Sequence, residues 1–407
     1  SQDMSSTKSE TASLLNPSRL EKRMDKDNEA LNMVMSELAD ELNISETMEK
    51  RAVSGYKNVG AWLDSDDFDT QTVVYPQGSF ALGTVIKPLS GDDEDHEYDI
   101  DRVCYMPEME NNTAEEVKTS VGERLQEHKA HADKLDDEGK RCWTLHYAGF
   151  HMDILPSTAA QENEGGPYPE DALRITEKSP EGTYSFRSSN PRGYKKWFEG
   201  RMGHTLNEER SRVAGKITCS VEDVHLYQTR TTLQRVVQIL KHHRDVMFEG
   251  NSEIAPISII LTTLAAKAYD QSEGVFDALC HILVHMHEYV ENRNGIWHID
   301  NPVAPGENFA DKWELEPAKA QAFFRWLEAA RSNLATDLIA TDGIDELATA
   351  MEKSLGSVYP KRAIGKYGTY LNKKRKANGL FSTAGGLSTM ASSASKAVPN
   401  HSFYGRG

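Results

Sequence analysis

The sequence predicts an α+β protein: a mixed sheet with helices in the first half, then an all-helical unit, with a cleft between the two. Three observations carry this. Short β-branched and aromatic runs are confined to residues 72–155. Apolar residues at helical spacing precede them, and beyond about residue 230 only helical spacing remains. The 407 residues correspond to two or three packing units at roughly 150 residues each. The expected plan is a flexible arm over 1–17, a core with leading long helices over 18–200, a helical domain over 201–377 and a flexible tail over 378–407.

The elements follow in order. Residues 1–17 are polar and Ser/Thr-rich, too poor in apolar groups to build structure of their own. Leu31, Val34, Met35, Leu38 and Leu42 then recur at helical spacing. Ser45 opens Ser-Glu-Thr-Met-Glu, an N-cap signature, and Met48, Ala52, Tyr56, Val59 and Leu63 continue the period. Thr72 to Tyr75 reads as a strand, broken by Pro76-Gln77-Gly78-Ser79, with a short helix or turn over Phe80 to Val85. Gly91 to His96 is an acidic loop. Tyr98 to Val103 alternates like a strand, and Ala114 to Leu135 is a polar helix. Trp143–Tyr147 and Phe150–Leu155 form a strand pair turning at Gly149 and ended by Pro156. Residues 157–192 are rich in Gly, Pro, Ser and Glu, the composition of a loop or linker. Helices follow, marked by Leu233 to Met247, Ile257 to Tyr269 behind Pro256, Phe276 to Val290, and Ala320 to Leu334. The last 30 residues are Gly/Ser/Ala-rich without a period.

Charge narrows the function. Lys plus Arg number 46 against 63 Asp plus Glu, a net charge of −17. That balance argues against broad coating of a nucleic-acid backbone, which needs a basic face, but leaves room for a local basic pocket. The four cysteines are far apart and form no C-x-x-C pair, so they read as reduced thiols of a cytosolic protein rather than a zinc ribbon. No apolar run approaches the roughly 20 residues of a membrane span, and the polar start lacks an apolar signal-peptide core.

Chemistry concentrates in three places: Gly78-Ser79, Asp99-x-Asp101 and Asp153. Residues two apart on a strand share a face, so Asp99 and Asp101 project together. Other acidic i, i+2 pairs, such as Asp64/Asp66 and Asp93/Asp95, lie in polar surroundings and read as solvated loops. Asp99 and Asp101 instead sit among Tyr98, Ile100 and Val103, and Asp153 sits between Met152 and Ile154. An alternating apolar strand has no structural use for carboxylates. Three hard oxygen donors on a sheet suit Mg²⁺, and two such ions about 4 Å apart stabilise both oxygens of an in-line phosphoryl displacement. Gly78-Ser79 offers a turn for a triphosphate. Lys241 ends an apolar stripe from which a cation could enter the cleft. Ser258 falls in the first turn behind Pro256, where free N–H groups favour phosphate.

Gly78-Ser79, Asp99-x-Asp101 and the distant Asp153 together resemble the polymerase-β-like nucleotidyltransferases. Leu233–Lys241, Pro256–Leu261 and Asn301-Pro302 followed by Glu307–Trp313 resemble bacterial cGAS/DncV-like nucleotidyltransferases (CD-NTases), closest to the clade-D-like enzymes. The resemblance spans residues 30 to 375 and departs from the pattern at the acidic insertion Asp92 to Asp95. It implies a polymerase-β-like core and a cyclic oligonucleotide synthase of anti-phage (CBASS-type) signalling in the bacterial cytoplasm. Asp99, Asp101 and Asp153 would be catalytic and hold two Mg²⁺ ions. Gly78, Ser79, Lys241 and Ser258 would contact the triphosphate, and Asn308 and Asp311 would lie near the base or the cleft wall. ATP is the first expected substrate and GTP the second, giving a cyclic di- or trinucleotide with release of pyrophosphate. Some relatives are conjugated through their C-terminal residue by a ubiquitin-transfer-like (E1/E2-like) ligase, which implies the same for Gly407, where no Cβ crowds the carboxylate. The rival readings are an RNA-tailing polymerase and a non-catalytic scaffold recognised through its tail.

Overall fold

The structure, a computed structural model, describes residues 28–65, 68, 70–89, 98–161, 166–383, 386–388 and 395–398. The polar arm, the acidic loop at 91–96 and Gly407 lie outside the described residues.

The described residues open with α1 (Glu29–Leu42) and α2 (Glu46–Leu63). Ser45 caps α2 by accepting from the Met48 N–H, as its sequence position predicts. Next come β1 (Val73–Gln77), the five-residue α3 (Gly78–Leu82), β2 (Tyr98–Tyr105) and α4 (Ala114–Glu127). A reciprocal capping box between Thr113 and Glu116 starts α4. The sheet is completed by β3 (Trp143–Tyr147), β4 (Phe150–Ala159), β5 (Leu173–Lys178) and β6 (Tyr184–Ser189). Strand order is β1-β2-β4-β5-β6, with β3 also paired to β4. Only β2 and β4 run parallel; the other pairs are antiparallel.

Two expectations fail here. Residues 157–192 are not a linker, because β5 and β6 lie within them. Their alternating Leu173, Ile175, Tyr184 and Phe186 were masked by the surrounding Gly, Pro and Glu. Nor does Pro156 end its strand. It falls where β3, paired to residues 150–154, hands over to β5, paired to 157–159. Neither strand pairs with Pro156, so its missing N–H forfeits no ladder bond on that side.

One face of the sheet is a conventional core. Ile100, Cys104, Leu145, Met152 and Ile154 pack there with Ala52 and Val59 of α2 and Val117 and Val121 of α4. The other face carries a smaller apolar patch of Tyr75, Val103, Leu173 and Ile175, and beyond it the three aspartates.

The helical unit consists of α5 (Pro191–Met202), α6 (His204–Ile217), α7 (Thr232–Met247), α8 (Ser258–Ala268), α9 (Val275–His285), α10 (Pro317–Arg331), α11 (Ile344–Leu355) and α12 (Val358–Lys376). Its core joins Val237, Leu240, Leu264, Phe276, Leu279, Phe323, Trp326 and Met351. The first helix belongs to this core: Val34, Met35, Leu38 and Leu42 are fully buried in it. Asn32 binds Asp277, and Arg235 reaches Ser36 and Asp40. Thus α1 is spatially part of the helical unit, not of the sheet unit to which its sequence position assigns it. Residues 378–407, expected as a flexible tail, include three short strands over 381–383, 386–388 and 396–397.

Leu38→Ala should therefore destabilise the helical unit. The expected loss is about 2–5 kcal/mol, the usual range for a buried leucine truncation, read from urea unfolding by far-UV circular dichroism.

Candidate active site

Register builds the site. Asp101 of β2 stands beside Gln77 of β1 on one side and Asp153 of β4 on the other. Asp153 is in turn opposite Thr144 of β3. One row of polar side chains thus crosses four strands. Asp99, one pleat away on the same face, stands opposite His151, whose Nδ1 lies 3.9 Å from its Oδ1. Tyr98 and Ile100 point to the buried face, as the alternation predicts.

The three carboxylates differ in environment. Asp99 is exposed, its side chain 73 % accessible. Asp101 is enclosed, and burial first, then the charges of Asp153 and Asp99, push its carboxyl up to about 7 against the partial relief of Lys241. Asp153 accepts a 2.5 Å hydrogen bond from the Thr144 hydroxyl at Oδ1. Among the described residues, no three His, Cys, Asp or Glu side chains gather tightly enough to enclose an ion unaided.

The turn against these acids requires glycine twice over. Gly78 has φ +64°, and a Cβ there would sit 2.3 Å from Asp101 Oδ2. Ser79 follows it, and the Lys241 ammonium reaches back from α7 to donate to Ser79 Oγ at 3.0 Å and to the Thr84 carbonyl at 2.8 Å. Lys241 has two neighbours in this task on its own helix. Gln234 donates to the Leu82 carbonyl and Gln238 to the Val85 carbonyl, each at 2.9 Å. Residues 234, 238 and 241 lie on one helical face. The helical unit is therefore docked by a buried polar stripe onto the backbone that follows the glycine–serine turn. Burial and the Arg244 guanidinium bring the Lys241 ammonium down to about 7. Its third N–H is not used by these two bonds.

Arg244, one turn beyond Lys241, links this group to Ser258. It donates to the Pro256 carbonyl at 2.7 Å and lies 3.3 Å from Ser258 Oγ through both terminal nitrogens. The sequence reading gave Arg244 no role. Its i+3 spacing from Lys241 was the available signal. Thr144 was missed as well, since nothing in the sequence tells which residue will face Asp153.

The remaining expected site residues diverge. Asn308 is committed to backbone: Oδ1 accepts from the Ile299 and Ala310 N–H groups, and Nδ2 donates to the Trp297 carbonyl. It organises the backbone of its loop, and one of its two Nδ2 N–H groups takes no part in these three bonds. Asp311 does face the sheet, pairing with Arg187 of β6 at 3.3 Å. By register, Arg187 shares the aspartates' face through Ile175 and Ser157. Nearby, Tyr184 donates to Glu138, Phe186 lies under the Arg174 guanidinium, and Tyr194 is buried against Thr263.

Paired carboxylates beside a lysine-held serine turn are suited to moving a nucleotidyl group, and the mixed sheet with its helical partner is the polymerase-β-like nucleotidyltransferase fold. Comparison with known proteins narrows the class. Residues 30–201 match the Second Messenger Oligonucleotide or Dinucleotide Synthetase domain. Over 388 residues the chain is 30 % identical to the c-di-GMP synthase of Roseivirga ehrenbergii, with 92 % of this chain and 97 % of that protein covered. Its fold is similar to that of the CD-NTase CdnG of Bradyrhizobium diazoefficiens, solved in complex with GTP. The TM-score is 0.64 at 20 % identity, covering 83 % of this chain and 99 % of that one. It is also similar to CdnC of E. coli MS115-1, solved with ATP, with a TM-score of 0.55 at 16 % identity over 80 % of this chain and 98 % of that one. The chain belongs to the CD-NTase family and is a cyclic oligonucleotide synthase.

Two outcomes follow from the geometry. Gly78→Ala should cut product formation by roughly 100-fold or more, the scale of an ångström-level misplacement, without unfolding the protein. Asp101→Asn should raise the melting temperature in metal-free buffer at pH 8. The folded-state pKa of Asp101 lies above its unfolded value, so its favourable contribution is complete below about 4 and is lost as pH rises through about 7. The gap between variant and wild type should therefore close as pH is lowered from 7 toward 4 in calorimetric scans.

Proposed function

We propose that this enzyme joins two nucleoside triphosphates, GTP foremost, into a cyclic dinucleotide with release of two pyrophosphates. The carrying observation is the alignment of Asp101 with Asp153 beside a Gly78-Ser79 turn that Lys241 holds from the helical unit. In each half-reaction a ribose hydroxyl oxygen bonds to the α-phosphorus of a triphosphate. The bond to the bridging α–β oxygen breaks, and pyrophosphate leaves. A second, intramolecular attack closes the ring.

The residues divide the work. Asp99, Asp101 and Asp153 would hold divalent cations, Mg²⁺ in the cell. The fit is chemical: an all-oxygen set in which Asp101 is raised by its own neighbours and would be relieved by positive charge. The carboxylates need not form a closed cage, because Mg²⁺ is usually bound by one or two carboxylates plus substrate phosphates and water. Bound cations would neutralise triphosphate charge and lower the pKa of the attacking hydroxyl. Asp153 stands to take the proton of that hydroxyl. Gly78 and Ser79 seat the triphosphate, and Lys241 offers it a remaining N–H. Arg244 presents Ser258 at the same end of the cleft.

The sequence reading placed ATP first. The Roseivirga relative, a c-di-GMP synthase at 30 % identity across nearly the whole chain, supports moving GTP ahead. Asp311 adds to this, because a carboxylate can accept from both the N1–H and the exocyclic amine of guanine, and Arg187 can donate to its O6 and N7. A role in anti-phage signalling is proposed on the family's character alone.

The test incubates purified protein with labelled NTPs and Mg²⁺, omits one NTP at a time, and treats the products with phosphatase. Phosphatase-resistant dinucleotide that needs GTP, and is lost in the Asp99→Asn, Asp101→Asn protein, is the expected result. Linear products that lengthen on added RNA would establish a tailing polymerase instead.

A further inference from the structure

We propose that Thr144 is a positioning residue for Asp153: its hydroxyl fixes the orientation of that carboxylate and thereby sets divalent-cation affinity at the site. The inference rests on the reading of Asp153 as a cation ligand given above.

Thr144 and Asp153 are direct cross-strand partners in the β3–β4 pair. Thr144 Oγ1 donates to Asp153 Oδ1 at 2.5 Å, the length of a charge-assisted O–H···O⁻ bond. Asp153 is flanked unequally. On β2 stands Asp101, another acid; on β3 stands a neutral donor. The hydroxyl occupies Oδ1 and leaves Oδ2 for a cation. It brings no positive charge, so it orients the carboxylate without competing with the cation, as a lysine or arginine in its place would. Cys142 Sγ lies 3.8 Å from Thr144 Oγ1. With the threonine proton directed to Asp153, the thiol is the donor of that contact, and Cys142 also interacts with the Asp153 carboxylate directly. The strand beneath is held firmly: Trp143 and Leu145, on either side of Thr144, are buried against α4 on the opposite face, and the Trp143 indole donates to the Lys118 carbonyl at 2.8 Å. A carboxylate held from outside the ligand set is the arrangement that raises metal affinity by removing the orientational freedom a ligand would otherwise lose on binding.

Thr144→Val keeps the shape and the β-branched backbone preference and removes only the donor. Thr144→Ser keeps the donor and removes the methyl group. Three quantities are compared on the full chain, with near-UV circular dichroism as the check of folding: Mn²⁺ binding by electron paramagnetic resonance without nucleotide, the Mg²⁺ half-saturation of product formation, and KM for GTP at saturating Mg²⁺. Thr144→Val should weaken Mn²⁺ binding and raise the Mg²⁺ half-saturation roughly tenfold, with KM for GTP changed by less than about twofold, and Thr144→Ser should recover most of the loss. Thr144→Val protein that binds Mn²⁺ like wild type overturns the proposal. So does a serine variant as impaired as the valine variant, which would mean that methyl packing is what matters. Wild-type protein that binds Mn²⁺ but makes no nucleotide product overturns the synthase reading alone, and the Mn²⁺ comparison still decides Thr144. Wild-type protein that binds no Mn²⁺ without nucleotide overturns the proposal for Thr144, while the product assay still decides the synthase reading.

Discussion

Two carboxylates stand side by side because β2 and β4 run parallel in a register that sets Asp101 against Asp153. A sheet gains nothing from such a pair: burial first, then the charges of Asp153 and Asp99, push the Asp101 carboxyl up to about 7. Positive charge near the pair would relieve the repulsion. The protein supplies some itself, since Lys241 partly offsets the shift. In the proposed reading the rest is left to what the site binds, and the repulsion would be relieved by divalent cations and the triphosphates that come with them.

That lysine comes from the other half of the molecule, so the site belongs to neither half alone. Gln234, Gln238 and Lys241 form a buried polar stripe on α7, and each finds a backbone carbonyl in the segment 82–85 that follows the glycine–serine turn. Buried polar groups are costly without partners, so the stripe fixes how the helical unit sits on the sheet. Gly83 permits the close approach: a Cβ there would fall 2.2 Å from the Leu226 carbonyl oxygen. The first helix adds a second tie, because α1 precedes the sheet in sequence yet lies in the core of the helical unit. From α1 the chain therefore leaves one half, builds the other, and returns.

The three aspartates stood out in the sequence because they break a pattern. Asp99, Asp101 and Asp153 interrupt alternating apolar strands, and their Gly-Ser companion has a spacing shared by a known superfamily. Lys241 was legible for a related reason, as a cation at the end of an apolar helical stripe. What escaped was set by partners distant in sequence. Strands β5 and β6 hid in a stretch whose Gly, Pro and Glu content resembles a loop, although Leu173 and Ile175 complete an apolar patch with Tyr75 and Val103. Asn308 was expected near the base or the cleft wall, and its motif gave no hint that its amide ties together the backbone at Trp297, Ile299 and Ala310.

The sequence by itself determined the class of fold, the period of most elements, the three carboxylates and the glycine–serine turn, because these depend on local alternation and residue chemistry. Only the tertiary structure decided which strand runs beside which. With that it decided that Asp153 meets Asp101 on one side and Thr144 on the other, that α1 packs with the helical unit, and that Lys241 closes on Ser79. The physical reason is the same in each case. A side chain's face is written in its neighbours along the chain, but its partner is set by strand register and helix docking, which sum contributions from residues far apart in sequence.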